Sequence, residues 1–362
     1  MPNPFFQLLV QQARKTNGPQ LIIADENLKG APLHLLLEQN ITLITNRFDV
    51  GEQAHAVGLN YHFSDFDFSP LADNYFDQVL YRVSKEKTVT HHIINSSQRL
   101  LKQDGNLVLT GEKNDGIKTY TDKACSFLNS YSGNTAKPKK QGKAYISVIH
   151  NQPYTKQQHS DQASQEPPLD DGNYPQLRSC ITVDNQTLFS KPGLFGWNKV
   201  DLGSAFLANY LPEFFQRQGA ESKQILDLGC GYGYLSLMAG KHANARIVAT
   251  DNNAAAIAAC SKNFSEFGIN GEVIAGNCAK NINEKFDSVL CNPPFHQGFD
   301  TDNILTQCFV DSSYQHLNQG GKALFVANRF VPIERCAEKF FKTKNIEKVA
   351  ENKSFKLLIL SK

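Results

Sequence analysis

The stretch Gln224-Ile225-Leu226-Asp227-Leu228-Gly229-Cys230-Gly231-Tyr232-Gly233-Tyr234-Leu235 carries three patterns in immediate succession. A short apolar run reads as a buried strand. Glycines at 229, 231 and 233 read as a turn that takes positive φ or lets its backbone approach a ligand. Tyr234 and Leu235 then open a helix-length segment through Lys241. Strand, glycine turn and helix in that order begin a βαβ unit, because parallel strands require a crossover.

The alternation continues downstream. Strands are expected over 246–250, 272–275, 287–291 and 322–327, and helices over 253–267 and 304–316. This predicts an α/β domain with a doubly wound, Rossmann-like, mostly parallel sheet covered on both faces. The strand-like runs 347–350 and 354–360 are separated only by Glu351-Asn352-Lys353, so the sheet should close with an antiparallel C-terminal hairpin. Residues 180–190 read as a separate hairpin turning at Asp184-Asn185.

The glycine turn has companions. Asp227 precedes the first glycine, and Asp251 ends the next strand, followed by Asn252. A carboxylate at that second place can accept both hydroxyls of a ribose. A dinucleotide site would show G-x-G-x-x-G for its pyrophosphate; D-x-G-x-G-x-G instead fits a ligand with an amino-acid end. There the loop backbone and Asp227 would take its ammonium and carboxylate. That ligand is S-adenosylmethionine. Asn277 and Cys278 follow the third strand, where a polar group can meet the adenine.

The fourth strand ends in Asn292-Pro293-Pro294-Phe295. Two prolines in succession discard two backbone donors and restrict the chain to an extended turn. That restriction suits a group needing two fixed acceptors. An exocyclic amine of a nucleobase is a poor nucleophile, because its lone pair is delocalised into the ring. The Asn292 side-chain oxygen and the Pro293 carbonyl would accept its two hydrogens and free the lone pair, and Phe295 would stack on the base. The motif lies at the carboxyl edge of the sheet, where open α/β sheets bind ligands.

The N-terminal half repeats the plan without the site. QLIIADEN (20–27) parallels QILDLGCG (224–231), NYFDQVLYRVSKEK (74–87) parallels EKFDSVLCNPPFHQ (284–297), and LKQDGNLVLTGEKN (101–114) parallels LNQGGKALFVANRF (317–330). Ala24-Asp25-Glu26-Asn27 stands at the glycine loop, and Arg82-Val83-Ser84-Lys85 at Asn-Pro-Pro-Phe. Three matches in order favour a duplication in which the first copy has degenerated. The expected organisation is therefore a degenerate methyltransferase-like domain over 1–150 serving docking or RNA contact, a polar linker over 151–179 with four prolines, and a catalytic domain over 180–362.

Composition sets bounds. The net charge of +2 hides a basic region: residues 81–143 hold twelve Lys/Arg against five Asp/Glu. Within it Lys137-Pro138-Lys139-Lys140-Gln141-Gly142-Lys143 reads as a solvated loop, or as a phosphate-contacting patch. None of the eight cysteines forms a CxxC pair, so no metal is expected. No apolar run approaches the length of a membrane span and no leader pattern opens the chain, so a cytoplasmic protein is expected, as a monomer.

These residues resemble a known family. Residues 181–362 are similar to the class I methyltransferases that modify exocyclic amines through an NPPF or NPPY tetrapeptide. The whole chain resembles the bacterial ribosomal RNA guanine-N2 methyltransferases of the RsmC/RlmG type. The resemblance is carried by KPGLFGWNKVDLGSAFL (191–207), LDLGCGYGYL (226–235), CNPPFHQG (291–298), ALFVANRF (323–330) and GEKNDGIKT (111–119). It implies that Phe195, Asp201, Gly203 and Ser204 cover the methyl-donor pocket; on sequence alone Asp201–Ser204 reads as a helix cap. The family commonly has Phe-Ser where this chain has Phe195-Gly196, implying a looser loop. Pro192-Gly193-Leu194-Phe195 and Gly111-Glu112 with Gly116-Ile117 favour the small-subunit branch, while CNPPFHQ and Thr301-Asp302-Asn303 resemble the large-subunit one. The implied reaction is methyl transfer to N2 of a guanosine in 16S ribosomal RNA, with ribosomal RNA within the small subunit as the expected partner. The rivals are the same reaction on 23S RNA, N6-adenine methylation of DNA or RNA, glutamine methylation of a protein, and a non-enzymatic RNA scaffold. His296 reads as a turn cap, or as a contact to a phosphate or to the base edge.

Overall fold

The computed structural model describes residues 3–128, 136–152, 167–218, 223–294 and 299–362, with side chains of 299–303 excepted. It divides into two compact units, Met1–Gln176 and Leu177–Lys362.

The first unit runs α1 (Pro4–Ala13), β1 (Gln20–Ala24), β2 (Ile41–Thr45), α2 (Phe48–Ala56), β3 (Asn60–Phe63), β4 (Phe76–Arg82), α3 (Lys87–Leu100), β5 (Leu101–Gly111), α4 (Ile117–Leu128), β6 (Lys139–Gln141) and β7 (Ala144–His150). The second begins with a hairpin of β8 (Arg178–Val183) and β9 (Gln186–Ser190), followed by α5 (Leu202–Gln218), β10 (Gln224–Leu228), α6 (Tyr234–His242), β11 (Arg246–Asp251), α7 (Ala254–Phe267) and β12 (Gly271–Ala275). It continues with β13 (Phe286–Cys291), α8 (Phe299–His316), β14 (Leu317–Asn328), α9 (Ile333–Ala337), β15 (Ile346–Glu351) and β16 (Phe355–Ser361).

The two sheets share one strand order: β3-β2-β1-β4-β5-β7-β6 and β12-β11-β10-β13-β14-β16-β15. In each, the first five strands are parallel and the last two antiparallel. These are two doubly wound domains, and the strand alternation explains their cores. Ile225, Ile247, Leu290 and Leu324 pack on one face of the second sheet, and Leu226, Val248, Val289 and Phe325 on the other. The hairpin turns at Asp184 and Asn185, both at positive φ, as a two-residue loop requires.

Register corrects one alignment. Gln78 pairs with Gln20, and its counterpart Ser288 pairs with Ile225. Gln20 therefore corresponds to Ile225 rather than Gln224, and Ile22 occupies the place of Asp227. A one-residue slip matters because it exchanges the two faces of a strand.

Two stretches differ from their reading. Part of the segment read as linker packs on the first unit. Asn95 exchanges two 2.8 Å bonds with the backbone of Leu169, His91 Nδ1 lies 2.6 Å from the Asp170 carbonyl, and Tyr174 is 1% exposed. Within the Lys-rich run at 137–143, Lys139–Gln141 form an exposed edge strand, β6, flanked by non-strand residues. Lysines there discourage pairing with another chain's edge.

Candidate active site

The glycine turn follows β10. Gly229, Gly231 and Gly233 all have positive φ, at 84°, 54° and 88°. A Cβ on Gly233 would meet Cys260 Sγ at 2.8 Å, whereas one on Gly231 would project into open space. Gly233 thus permits packing against α7, while the space beside Gly231 is open. The loop amides are already engaged: Gly229 and Cys230 donate to the Thr250 carbonyl at 2.9 and 3.0 Å, and Gly231 donates to Asp251 Oδ2 at 3.0 Å. The loop therefore offers close approach, while the charged partner is Asp227.

Asp227 is buried beneath the loop. Its Oδ2 accepts from Ser236 Oγ at 2.6 Å, yet Oδ1 is buried with no hydrogen-bond partner. Burial pushes the carboxyl up to about 6, the Ser236 hydrogen bonds partly offsetting it. A buried carboxylate oxygen without a donor is costly, and an ammonium group would satisfy it. The open space beside Gly231 and this orphaned oxygen fit the amino-acid end of S-adenosylmethionine.

Asp251 ends the adjacent strand, half-buried. Its Oδ2 takes the Gly231 amide and its Oδ1 the Asn253 amide at 2.9 Å, leaving lone pairs for ribose hydroxyls. Asn252 lies beside it, half-buried. Asn277 follows β12, half-buried and with no side-chain hydrogen bond among the described residues. Cys278 takes a φ of 49° and turns its sulfur into the core, so only its backbone faces the edge.

Asn292 lies beyond the end of β13, the neighbour of β10, two residues past the Asp227–Leu290 rung. Its amide nitrogen donates to Asp201 Oδ2 at 2.9 Å and to Ser204 Oγ at 2.8 Å. A carboxylate can only accept, so the amide group must face Asp201 and Oδ1 must face away from it. Asn292 Oδ1 has no hydrogen-bond partner among the described residues. Pro293 is buried and Pro294 exposed. Phe295 and His296 lie outside the described residues.

Asp201 has two tasks. The same Oδ2 accepts the Ser204 amide at 2.9 Å, capping α5. The cap reading and the pocket reading are therefore one arrangement. Gly203 is packed so closely that a Cβ would lie 3.2 Å from the Phe355 ring. Phe195 is exposed, and Gly196 takes a φ of 64° in a turn closed by the Lys199 amide. Sequence reasoning missed Ser236 and Asn263. Asn263 is buried in α7 and bonds to Phe189 N and O of β9 at 2.8 and 2.9 Å and to the Tyr232 carbonyl at 2.7 Å. The only signal was an asparagine on an otherwise apolar, Ala-rich helix face. Among the described residues, no metal-holding cluster occurs and no helix is long and apolar enough to cross a membrane.

The comparisons with known proteins agree with this layout. Two family models match: Methyltransferase small domain over residues 185–359, and Methyltransferase small domain N-terminal over 7–137. A Psychromonas ingrahamii protein named ribosomal RNA small subunit methyltransferase C is 29% identical over 355 residues, covering 89% of this chain and 95% of that one. A Haemophilus influenzae protein of that name is 36% identical over 161 residues, 44% of this chain and 47% of its own. A solved structure, described as a T. thermophilus 16S rRNA N2 G1207 methyltransferase in complex with AdoMet and guanosine, covers 98% of this chain and 91% of its own with a TM-score of 0.79. At 22% identity that likeness is one of fold.

Proposed function

The chain belongs to the RsmC-type ribosomal RNA methyltransferases, and on that premise we propose that it transfers a methyl group from S-adenosylmethionine to the exocyclic N2 of one guanosine in 16S ribosomal RNA. The observation that carries this reading is the clamp on Asn292. Asp201 and Ser204 hold its amide nitrogen, so its oxygen is presented as an acceptor before any substrate arrives. Such preorganisation is what an amine with a delocalised lone pair requires.

The donor, when bound, supplies a sulfonium methyl group. Asp227 Oδ1 receives its ammonium and Asp251 its ribose hydroxyls, with Asn252 and Asn277 lining the base end. Gly229 and Gly231 allow the close approach. The target guanosine is flipped out of its RNA context. Asn292 Oδ1 and the Pro293 carbonyl accept the two N2 hydrogens and turn the lone pair toward the methyl group. On the sequence reading Phe295 is the residue to stack on the base, and Pro294 restricts the chain that precedes it. Neither acceptor is basic enough to keep a proton, so the one lost from N2 passes to water. The first unit, with Ile22 and Arg82 in place of Asp227 and Asn292, serves docking on RNA. We take the working form to be a cytoplasmic monomer acting without metal.

The test is methyl transfer from labelled donor to small subunits, large subunits and naked RNA lacking native N2-methylguanosine. N2-methylguanosine on the small subunit alone is the expected product. The same product on the large subunit would reassign the target; no label in RNA, with donor binding intact, would sink the reading.

A further inference from the structure

β14 runs beyond the edge of the sheet and ends in a tight turn. The Val331 amide donates to the Asn328 carbonyl at 3.0 Å, placing Arg329 and Phe330 at its centre. The turn is anchored to the last hairpin, since Asn328 pairs with Phe355 and the Arg329 amide donates to the Ser354 carbonyl at 3.0 Å. Phe330 on this rigid turn is 94% exposed. Leu202, next to the Asp201 that clamps Asn292, is 74% exposed. Both adjoin neighbours of Phe355, whose ring would meet a Cβ on Gly203 at 3.2 Å and whose backbone pairs with Asn328.

Single exposed apolar residues are ordinary, but a rim of them beside a binding site marks a contact surface. The donor residues stand over β10, β11 and β12, whereas this rim stands over β13, β14 and β16, on the substrate side. Its charge is asymmetric. Arg329 is paired with Glu351 at 2.5 Å, while exposed Lys353, in the same hairpin turn, has no ion-pair partner among the described residues.

We propose that Phe330 is a stacking platform for the nucleobase adjacent to the target guanosine, with Lys353 on a neighbouring phosphate; this rests on the RNA methylation proposed above. A rigid turn presents the ring already oriented, so little motion is lost when a base stacks on it. A neighbour held outside the pocket keeps the flipped guanosine from returning to its stack. Phe330 is a positioning residue and touches no reacting atom.

The experiment varies the concentration of unmethylated small subunits with the full chain. Phe330→Ala should raise KM for the subunit about 10–100-fold while kcat and donor affinity change less than about twofold. Phe330→Trp should restore KM, and Phe330→Leu should not, because a base stacks on a flat ring. Lys353→Gln should raise KM and flatten its salt dependence. Thermal melts of each variant should match the parent, the side chain being in solvent. An unchanged KM for Phe330→Ala, or a Leu variant as good as Trp, would overturn the platform. A parent chain that labels no RNA would instead overturn the methylation reading itself.

Discussion

At the scale of single residues, the site depends on one carboxylate that must only accept and another that lacks a donor. Asp201→Asn keeps the cap on α5 but can present its own amide to Asn292, so the orientation of Asn292 is no longer enforced. The loss is of the order of one hydrogen bond to a charged group, about 1.5–3 kcal/mol, or a kcat reduced about 10–150-fold with a melt within a degree or two of the parent. Asp227 acts in the opposite direction on stability. Folding raises its carboxyl from 3.8 to about 6, so the folded unit holds this proton more tightly than the unfolded chain does. Stability on this group's account is greatest below about pH 4 and falls by about 3 kcal/mol as pH rises through about 6. Asp227→Asn removes that fall but leaves an amide proton without a partner. We therefore expect a net rise of about 1–2 kcal/mol at pH 8, roughly 3–6 °C in Tm, and a loss of about 1 kcal/mol at pH 4, where the amide penalty stands almost alone, with donor affinity lost by at least about 100-fold. Calorimetry at both pH values, with donor titration, checks this. In the unmodified chain, donor affinity should weaken as pH falls below about 6, since a protonated Asp227 offers the ammonium no charge.

At the scale of elements, strand order and the glycine turn were legible because they rest on local patterns. Period-two burial, positive φ at glycine and short antiparallel turns each leave a mark within a few residues. The pins between elements were not legible, because they join residues far apart in sequence. Asn263 of α7 ties β9 to the glycine loop through three hydrogen bonds from one buried side chain. Asn263→Ala leaves the Phe189 and Tyr232 backbone groups unsatisfied inside the core. It should destabilise the second unit by about 2–4 kcal/mol, and amide exchange at Phe189 should rise more than exchange in β10. The clamp of Asp201 on Asn292 is of the same kind: the sequence showed both residues but not that they meet. The resemblance placed Asp201 over the donor pocket; the geometry adds its hold on Asn292, the acceptor proposed above. The register of β1 against β10 was misread by one residue, since matching Gln20 to Gln224 looks natural until the ladder is seen.

At the scale of the whole molecule, the two copies of one sheet have divergent carboxyl edges. Phe66 and Cys278 both take positive φ after the third strand of their sheets, and the residues before them, Asp65 and Asn277, correspond. In the second unit Asn277 has no side-chain partner among the described residues. In the first, Asp65 Oδ1 accepts a 2.6 Å hydrogen bond from the Tyr174 hydroxyl, and the Tyr174 ring packs against His92 at 5.2 Å. Tyr174 comes from the stretch that composition marks as linker. Its hydroxyl engages the counterpart of Asn277, the residue proposed above for the base end of the donor. Polarity and prolines at 167–176 conceal this, because one aromatic can anchor an otherwise hydrophilic segment. The first copy is thus closed twice, by loss of its acid to Ile22 and by its own chain. Donor titration should give one site per chain. Tyr174→Ala should cost the first unit about 3–5 kcal/mol, as other large aromatic truncations do, without creating a second site. Ile22→Asp alone should also leave the count at one, because the tyrosine still occupies the space. A second donor site in the Ile22→Asp chain would mean that Tyr174 yields to ligand, and that the first pocket was lost by a single residue rather than by both changes.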